Sequence, residues 1–245
     1  TGFTTTARAV TGVTGKSRLY FGVNRGGSAG IYWKNLDGTG GATRLATTGA
    51  SATDVGGLTL DPQNGYVYWT NCGAQLTLSR AKLDGTGGTD LRNTTPSGCP
   101  WGIDIDHVGH KVYYAEYSAG GIYRTDMDGS NQMLVNPTGT SAATSPSDIV
   151  IDPVSGYLYW SNDSPPRISR VLLSNYVGSD FSTAPISPAS INSMIIDRGA
   201  GKFYWSDFGH GSAGSAALGV ANLDGSGSAQ DITPGSPWPY GNPQG

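Results

Sequence analysis

The residues of this 245-residue chain that could do chemistry are few. Asp104, Asp148 and Asn192 offer oxygen donors, and Asp104 with Asp148 and backbone carbonyls would suit a hard cation such as calcium. No continuous calcium-loop motif accompanies them. The other reading of Asp104 is a carboxylate satisfied by water or by a serine or threonine hydroxyl. Cys72 and Cys99 are the two cysteines. They suit a disulfide in an oxidising compartment, or else two buried thiols. Acid-base and nucleophilic catalysis have little to draw on. His107 and His110 share a turn, His210 lies in a Gly/Ser-rich stretch, and no nucleophilic serine elbow is evident. A metal-dependent hydrolase or lyase using Asp104, Asp148 and Asn192 is therefore the lesser reading.

What must position these residues is a repeat. "YVYWTN" at 66–71 returns as "YLYWSN" at 157–162 and "KFYWSD" at 202–207, with weaker copies in "RLYFGV" and "KVYYAE". The leading tyrosines, Tyr20, Tyr68, Tyr113, Tyr159 and Tyr204, are separated by 48, 45, 46 and 45 residues. A period of this size marks units that cannot bury their own apolar faces and fold by stacking on neighbours. Each unit reads as four short strands parted by turn formers; in the second, "GGLTLD", "YVYWTN", "TLSRAKLDG" and "DLRNT" are separated by "PQNG", "CGAQ" and "TGGT". The expectation is an all-β, five-bladed propeller of four-stranded antiparallel blades. Its blades fall at about 7–49, 54–95, 100–137, 146–184 and 191–234, and 235–245 is a tail whose Trp238 is expected near the closure between last and first blades.

Composition fits an extracellular all-β protein, with 38 Gly, 14 Pro and 13 Tyr and only 13% charged residues. A net charge of -3 and a pI near 5.5 provide no basic footprint for nucleic acid. No apolar run approaches the roughly 18 residues of a membrane span, so no membrane insertion is expected. A start at Thr1 reads as a processed or trimmed chain.

Asp-Pro, a turn, the Tyr-Trp tetrad, Ile/Leu-x-Arg and Leu-Asp-Gly combine in "LDPQNGYVYWTN…LSRAKLDGTG" and return in part, in register, in the other units, so that the resemblance they carry covers nearly the whole chain. In this combination the chain resembles the YWTD repeats of the low-density lipoprotein receptor family. The resemblance implies a β-propeller that binds or positions partners without catalysis. Departures are plain. Family propellers normally have six blades, whereas five leading tyrosines occur here, and no Cys-rich EGF-like modules flank them, so the receptor role does not carry over. The third-strand arginine is present as Arg80, Arg124 and Arg170 and is replaced near Trp33 and Gly219.

Most repeated residues read as structure. Tetrad aromatics fill the space between blades. Asp61, Asp106, Asp152 and Asp197 accept hydrogen bonds from the turns they begin, and Asp37, Asp84, Asp128 and Asp224 suit Asp-Gly hairpins. Asp104 departs, because its counterparts are Thr11, Thr59, Val150 and Ile195. Since antiparallel strands reverse direction, loops after the second strands share a face with those leading into the next blade. That face carries the irregular loops, where binding usually resides. Its candidates are Arg8, Trp101 and Asn192 at the starts of innermost strands, the tetrad ends Asn71, Glu116, Asn162 and Asp207, and Tyr117. Trp101 has a second reading as a plug of the central channel. Cys72 and Cys99 should meet on the same face. The chain is thus read as a secreted, periplasmic or cell-surface binding module for a protein ligand, with a glycan as the alternative.

Overall fold

Alternation along the repeated phrase sets the architecture. Val67 and Trp69 point to one side of their strand and Tyr68 to the other, and all three are buried. A strand buried on both sides needs a neighbouring sheet on each, which stacked blades supply. The computed structural model describes residues 7–10, 17–23, 26–93, 98–181, 183, 190–207 and 217–233. These form five four-stranded antiparallel sheets, each a meander in chain order. Blade one comprises β1 (Ala7–Val10), β2 (Arg18–Val23), β3 (Gly30–Asn35) and β4 (Thr43–Arg44). Blade two comprises β5 (Val55–Asp61), β6 (Tyr66–Cys72), β7 (Leu76–Lys82) and β8 (Thr89–Asn93). Blade three comprises β9 (Pro100–Asp106), β10 (Lys111–Glu116), β11 (Ile122–Asp126) and β12 (Met133–Val135). Blade four comprises β13 (Pro146–Asp152), β14 (Tyr157–Asp163), β15 (Pro166–Leu172) and β16 (Gly178–Phe181). Blade five comprises β17 (Ile191–Asp197), β18 (Lys202–Asp207), β19 (Ala217–Asn222) and β20 (Gln230–Asp231). The protein is the five-bladed β-propeller that the repeat predicts.

The core lies between blades. Tyr20, Ile31 and Leu45 of blade one pack on Leu58, Val67 and Trp69 of blade two. Tyr68 and Leu78 meet Ile103, Val112 and Tyr114, and Tyr113, Ile122 and Val135 meet Ile149, Leu158 and Trp160. Tyr159, Ile168 and Phe181 meet Met194, Phe203 and Trp205. Each such side chain contributes about 1.5–3 kcal/mol on leaving water. The leading tyrosine adds a polar tie to the next blade. Tyr20 donates to the Leu83 carbonyl at 3.0 Å, Tyr68 to that of Met127 at 3.2 Å and Tyr159 to that of Leu223 at 3.4 Å. Tyr113 instead meets the Tyr176 hydroxyl at 3.1 Å. These are the polar partners a buried tyrosine requires.

Turn carboxylates behave as their sequence context predicts. Asp106 accepts from Val108 and Gly109 N–H at 3.0 and 2.9 Å, and Asp84 from Thr86 N–H at 2.9 Å. Gly85 follows with φ 91°, which a side chain would resist. Innermost strands approach closely where side chains are small; a Cβ added at Gly102 would lie 2.6 Å from Asp148 Cα.

Two alignments shift. Arg8 pairs with Tyr20, as Thr59, Asp104, Val150 and Ile195 pair with their tyrosines. Arg8, rather than Thr11, is thus the counterpart of Asp104, because "RAVTGV" has no turn-opening aspartate to set its register. Val220, rather than Gly219, faces Tyr204 and occupies the third-strand arginine position.

Candidate ligand-binding face

The site begins with a covalent anchor. Cys72 ends β6 and Cys99 precedes β9, and they form a disulfide with Cα atoms 4.8 Å apart. Cys72 N–H donates to Asp54 O at 2.8 Å, and Tyr117 N–H donates to Cys99 O at 2.9 Å. The loop after β6, the segment leading into β9 and the loop after β10 are therefore held together on one face, as the strand directions require.

On this anchor sits an aromatic pair. The rings of Trp101 and Tyr117 lie 5.5 Å apart at 57°, both half-buried. Tyr117 donates its hydroxyl to Asp163 Oδ2 at 2.6 Å, linking blade three to the end of β14. That hydrogen bond to the Asp163 carboxylate, aided by burial, pushes the Tyr117 pKa up to about 12. A phenolate would sit against the carboxylate, so the hydroxyl stays protonated across physiological pH. Around Asp163, its N–H donates to Ser145 O at 3.0 Å and Thr144 Oγ1 donates to Ser164 O at 2.8 Å. Two partly open aromatic rings beside a carboxylate and polar loop edges form an amphipathic platform, with apolar area for affinity and acceptors for orientation.

The other candidates divide by burial. Asn71, Glu116, Asn162 and Asp207 have no exposed surface. Each sits opposite the first residue of an innermost strand, where the incoming linker covers it. Asn71 donates to Ser51 O at 2.9 Å and to Thr77 Oγ1 at 2.7 Å. Asn162 Oδ1 accepts from Thr144 N–H at 3.2 Å, and Asp207 Oδ1 from Ser190 N–H at 2.7 Å. These four side chains are thus buried under the linkers, with Asn71, Asn162 and Asp207 bonded to them. Asn192 is half-buried at the start of β17. Arg8 lies in β1, three positions along from the Trp101 level, and its side chain, like His210 and Trp238, falls outside the described residues. Asp163 was not singled out from the sequence, because its partner Tyr117 is 46 residues away.

Asp104 and Asp148 are cross-blade hydrogen-bond acceptors. Asp104 Oδ1 accepts from Thr59 Oγ1 at 2.9 Å and Oδ2 from Ile151 N–H at 2.9 Å, joining blades two, three and four. Asp148 Oδ1 accepts from Ile149 N–H at 2.8 Å and Oδ2 from Met194 N–H at 2.7 Å. Among the described residues no three His, Cys, Asp or Glu cluster as metal ligands. Calcium takes six to eight oxygens, and this donor set does not fit it. The hydroxyl reading of Asp104 is the one the geometry supports.

A cavity of about 600 Å³ opens on the turn face between blades four and five, lined by Asp152, Tyr157, Arg170, Asn222 and Asp224 among others. Its charged groups already have partners. Arg198 holds Asp152 at 2.7 Å, and Arg170 stacks 4.8 Å from the Tyr157 ring centre and reaches Leu223 O at 3.4 Å.

The molecule is thus a five-bladed propeller with turn chemistry on one face and a disulfide-anchored aromatic platform on the other. The family model described as "Lactonase, 7-bladed beta-propeller" matches residues 18–138. Low-density lipoprotein receptor-related protein 1 of Pyricularia oryzae is 24% identical over 199 residues, covering 69% of this chain. The chain spans 62% of that relative's length. Among solved structures, "Crystal structure of Nidogen/Laminin Complex" contains a chain of like fold, with TM-score 0.67, 21% identity, and coverage of 94% of this chain and 78% of that one. A gluconolactonase of Xanthomonas campestris superposes with TM-score 0.60 at 15% identity, covering 78% of this chain and 65% of its own. At these identities the likeness to solved structures is one of fold.

Proposed function

We propose that this protein is a non-catalytic binding module acting in extracellular, periplasmic or cell-surface space, and that it recognises a protein ligand through the disulfide-anchored loop face. Trp101 and Tyr117 supply the apolar contact, Asp163 and Asn192 supply polar contacts, and Asn71, Glu116, Asn162 and Asp207 hold the loops beneath. The observation that carries this reading is the half-buried Trp101–Tyr117 pair, whose Tyr117 hydroxyl donates to Asp163. Aromatic anchors beside a directional polar group are the residue types that dominate protein interfaces. The named relative and the propeller solved in a nidogen/laminin complex are further support. No described helix is long and apolar enough to cross a membrane.

Two other readings have specific support. A glycan would also stack on Trp101 and Tyr117. The lactonase family match and the gluconolactonase neighbour favour an enzyme acting near the channel mouth. The discriminating experiment probes the intact protein against purified extracellular matrix proteins, laminin included, and a glycan array. A lactone-hydrolysis assay with calcium, zinc or magnesium runs in parallel. We expect a protein ligand whose affinity falls tenfold or more in Trp101→Ala, at the scale of about 1.4 kcal/mol or above. Glycan-only binding would replace the ligand class, and lactone turnover abolished in Trp101→Ala would replace the reading with an enzymatic one.

A further inference from the structure

We propose that residues 234–245 of this chain dock on the trailing face of blade five, with Trp238 seated in an apolar groove there. Blades one to four each have a face that packs on the following blade, and register identifies the equivalent residues in blade five. Val150, Tyr159, Ile168 and Phe181 form it in blade four. Ile195, Tyr204, Leu218 and Ile232 form it in blade five, Ile232 being placed by its N–H donating to Leu218 O at 2.8 Å.

The two faces share chemistry and differ in covering. Val150 and Phe181 are 3% and 5% exposed, whereas Ile195 and Ile232 are 58% and 44% exposed. A groove of about 340 Å³ runs over the uncovered face, lined by Met194, Ile195, Tyr204, Trp205, Leu218 and Ile232. The leading tyrosines of blades one to four bond to the following blade, and among the described residues no acceptor faces the Tyr204 hydroxyl. An apolar face of blade-packing composition beside a tyrosine needing an acceptor calls for a covering segment that is apolar and rich in free carbonyls.

The chain supplies such a segment at the groove's own rim. Ile232 lines the groove, and Thr233 beside it accepts from Leu218 N–H at 2.9 Å, so the last described residue stands at the edge of the site. The segment "PGSPWPYGNPQG" holds Trp238, Tyr240 and four prolines. Its twelve residues reach at most about 40 Å when extended, ample for one blade face. Proline favours an extended left-handed helix whose carbonyls are unpaired. With no N–H at its four prolines, such a segment is poorly suited to adding a strand at the edge and instead covers a sheet face with side chains.

The test places the photoreactive residue p-benzoylphenylalanine at position 195 of the full chain, irradiates at low micromolar concentration and maps links by mass spectrometry after Asp-N digestion. Links within one chain, localised by fragment ions to 234–245, are expected. Links between two chains, to residues 1–16, or to no segment would overturn the proposal. As a second readout, Trp238→Ala and Leu218→Ala should each lower the melting temperature by several degrees, and the double variant should lose less than the sum, because both remove the same contact. Additive losses, or an unchanged melting temperature in Trp238→Ala, would equally overturn it.

Discussion

Asp180, at the end of blade four's outer strand, gathers hydrogen bonds from Thr140 Oγ1, Ser141 N–H and Oγ, and Ser169 Oγ at 2.7, 3.0, 2.5 and 2.7 Å. Burial alone would raise its pKa, but the bonds from Ser141, Ser169 and Thr140 outweigh that and hold it well below the ordinary carboxylate range. A depressed pKa means the native state binds the proton less readily than the unfolded chain. Its stabilisation is complete above the unfolded value of about 4 and is lost as pH falls through the folded one. Asp180→Asn should therefore lower stability at pH 7 by about 1 kcal/mol, a figure held down by solvent screening of a partly exposed group. Melting temperatures of wild type and variant should converge as pH falls below 4. Asp104 supports a second expectation. With both oxygens occupied by Thr59 and Ile151, excess calcium and chelator should give the same melting temperature, since only a ligand of the native state shifts it. A calcium-dependent rise lost in Asp104→Asn would restore the metal reading. At this scale the sequence marked Asp104 as an oddity by its repeat position. It could not reveal its partners, which lie 45 and 47 residues away.

Among elements, the loops of the candidate face depend on their anchor. The disulfide closes a separation of 27 residues, for which chain entropy predicts about 2–4 kcal/mol. Cys99→Ser should lower the melting temperature and speed proteolysis between residues 94 and 99, because Tyr117 N–H relies on the Cys99 carbonyl for its position. Unchanged proteolysis would mean the backbone bonds suffice alone. The pairing was legible because alternating strand direction sends both cysteines to one face. Strand identity was equally legible in blades two to five, where a turn-opening aspartate (Asp61, Asp106, Asp152, Asp197) and the tetrad recur in register. Blade one lacks that turn, so Arg8 came out three positions from its place. Burial of the tetrad ends was not legible either. Strand periodicity tells which side a residue takes, but the linker that seals Asn71 or Asp207 belongs to no repeat.

Across the whole molecule, stability resides in interfaces between blades that no single blade could provide. Four faces have the same construction, an aromatic and aliphatic layer tied by a tyrosine hydroxyl, and the fifth presents the same residue types uncovered. The protein-binding reading and the docking of residues 234–245 concern separate surfaces, so either can fail without the other. The amino-acid sequence by itself determined the number of blades, the strands within them and the turn chemistry, because these arise from spacing and local conformational preference that recur along the chain. Only the tertiary structure decided which polar residues face solvent, that Tyr117 belongs with Asp163, that Asp104 is a cross-blade acceptor, and which apolar face is left open. Those outcomes depend on distances between residues remote in the chain, and such distances are set by how neighbouring sheets stack.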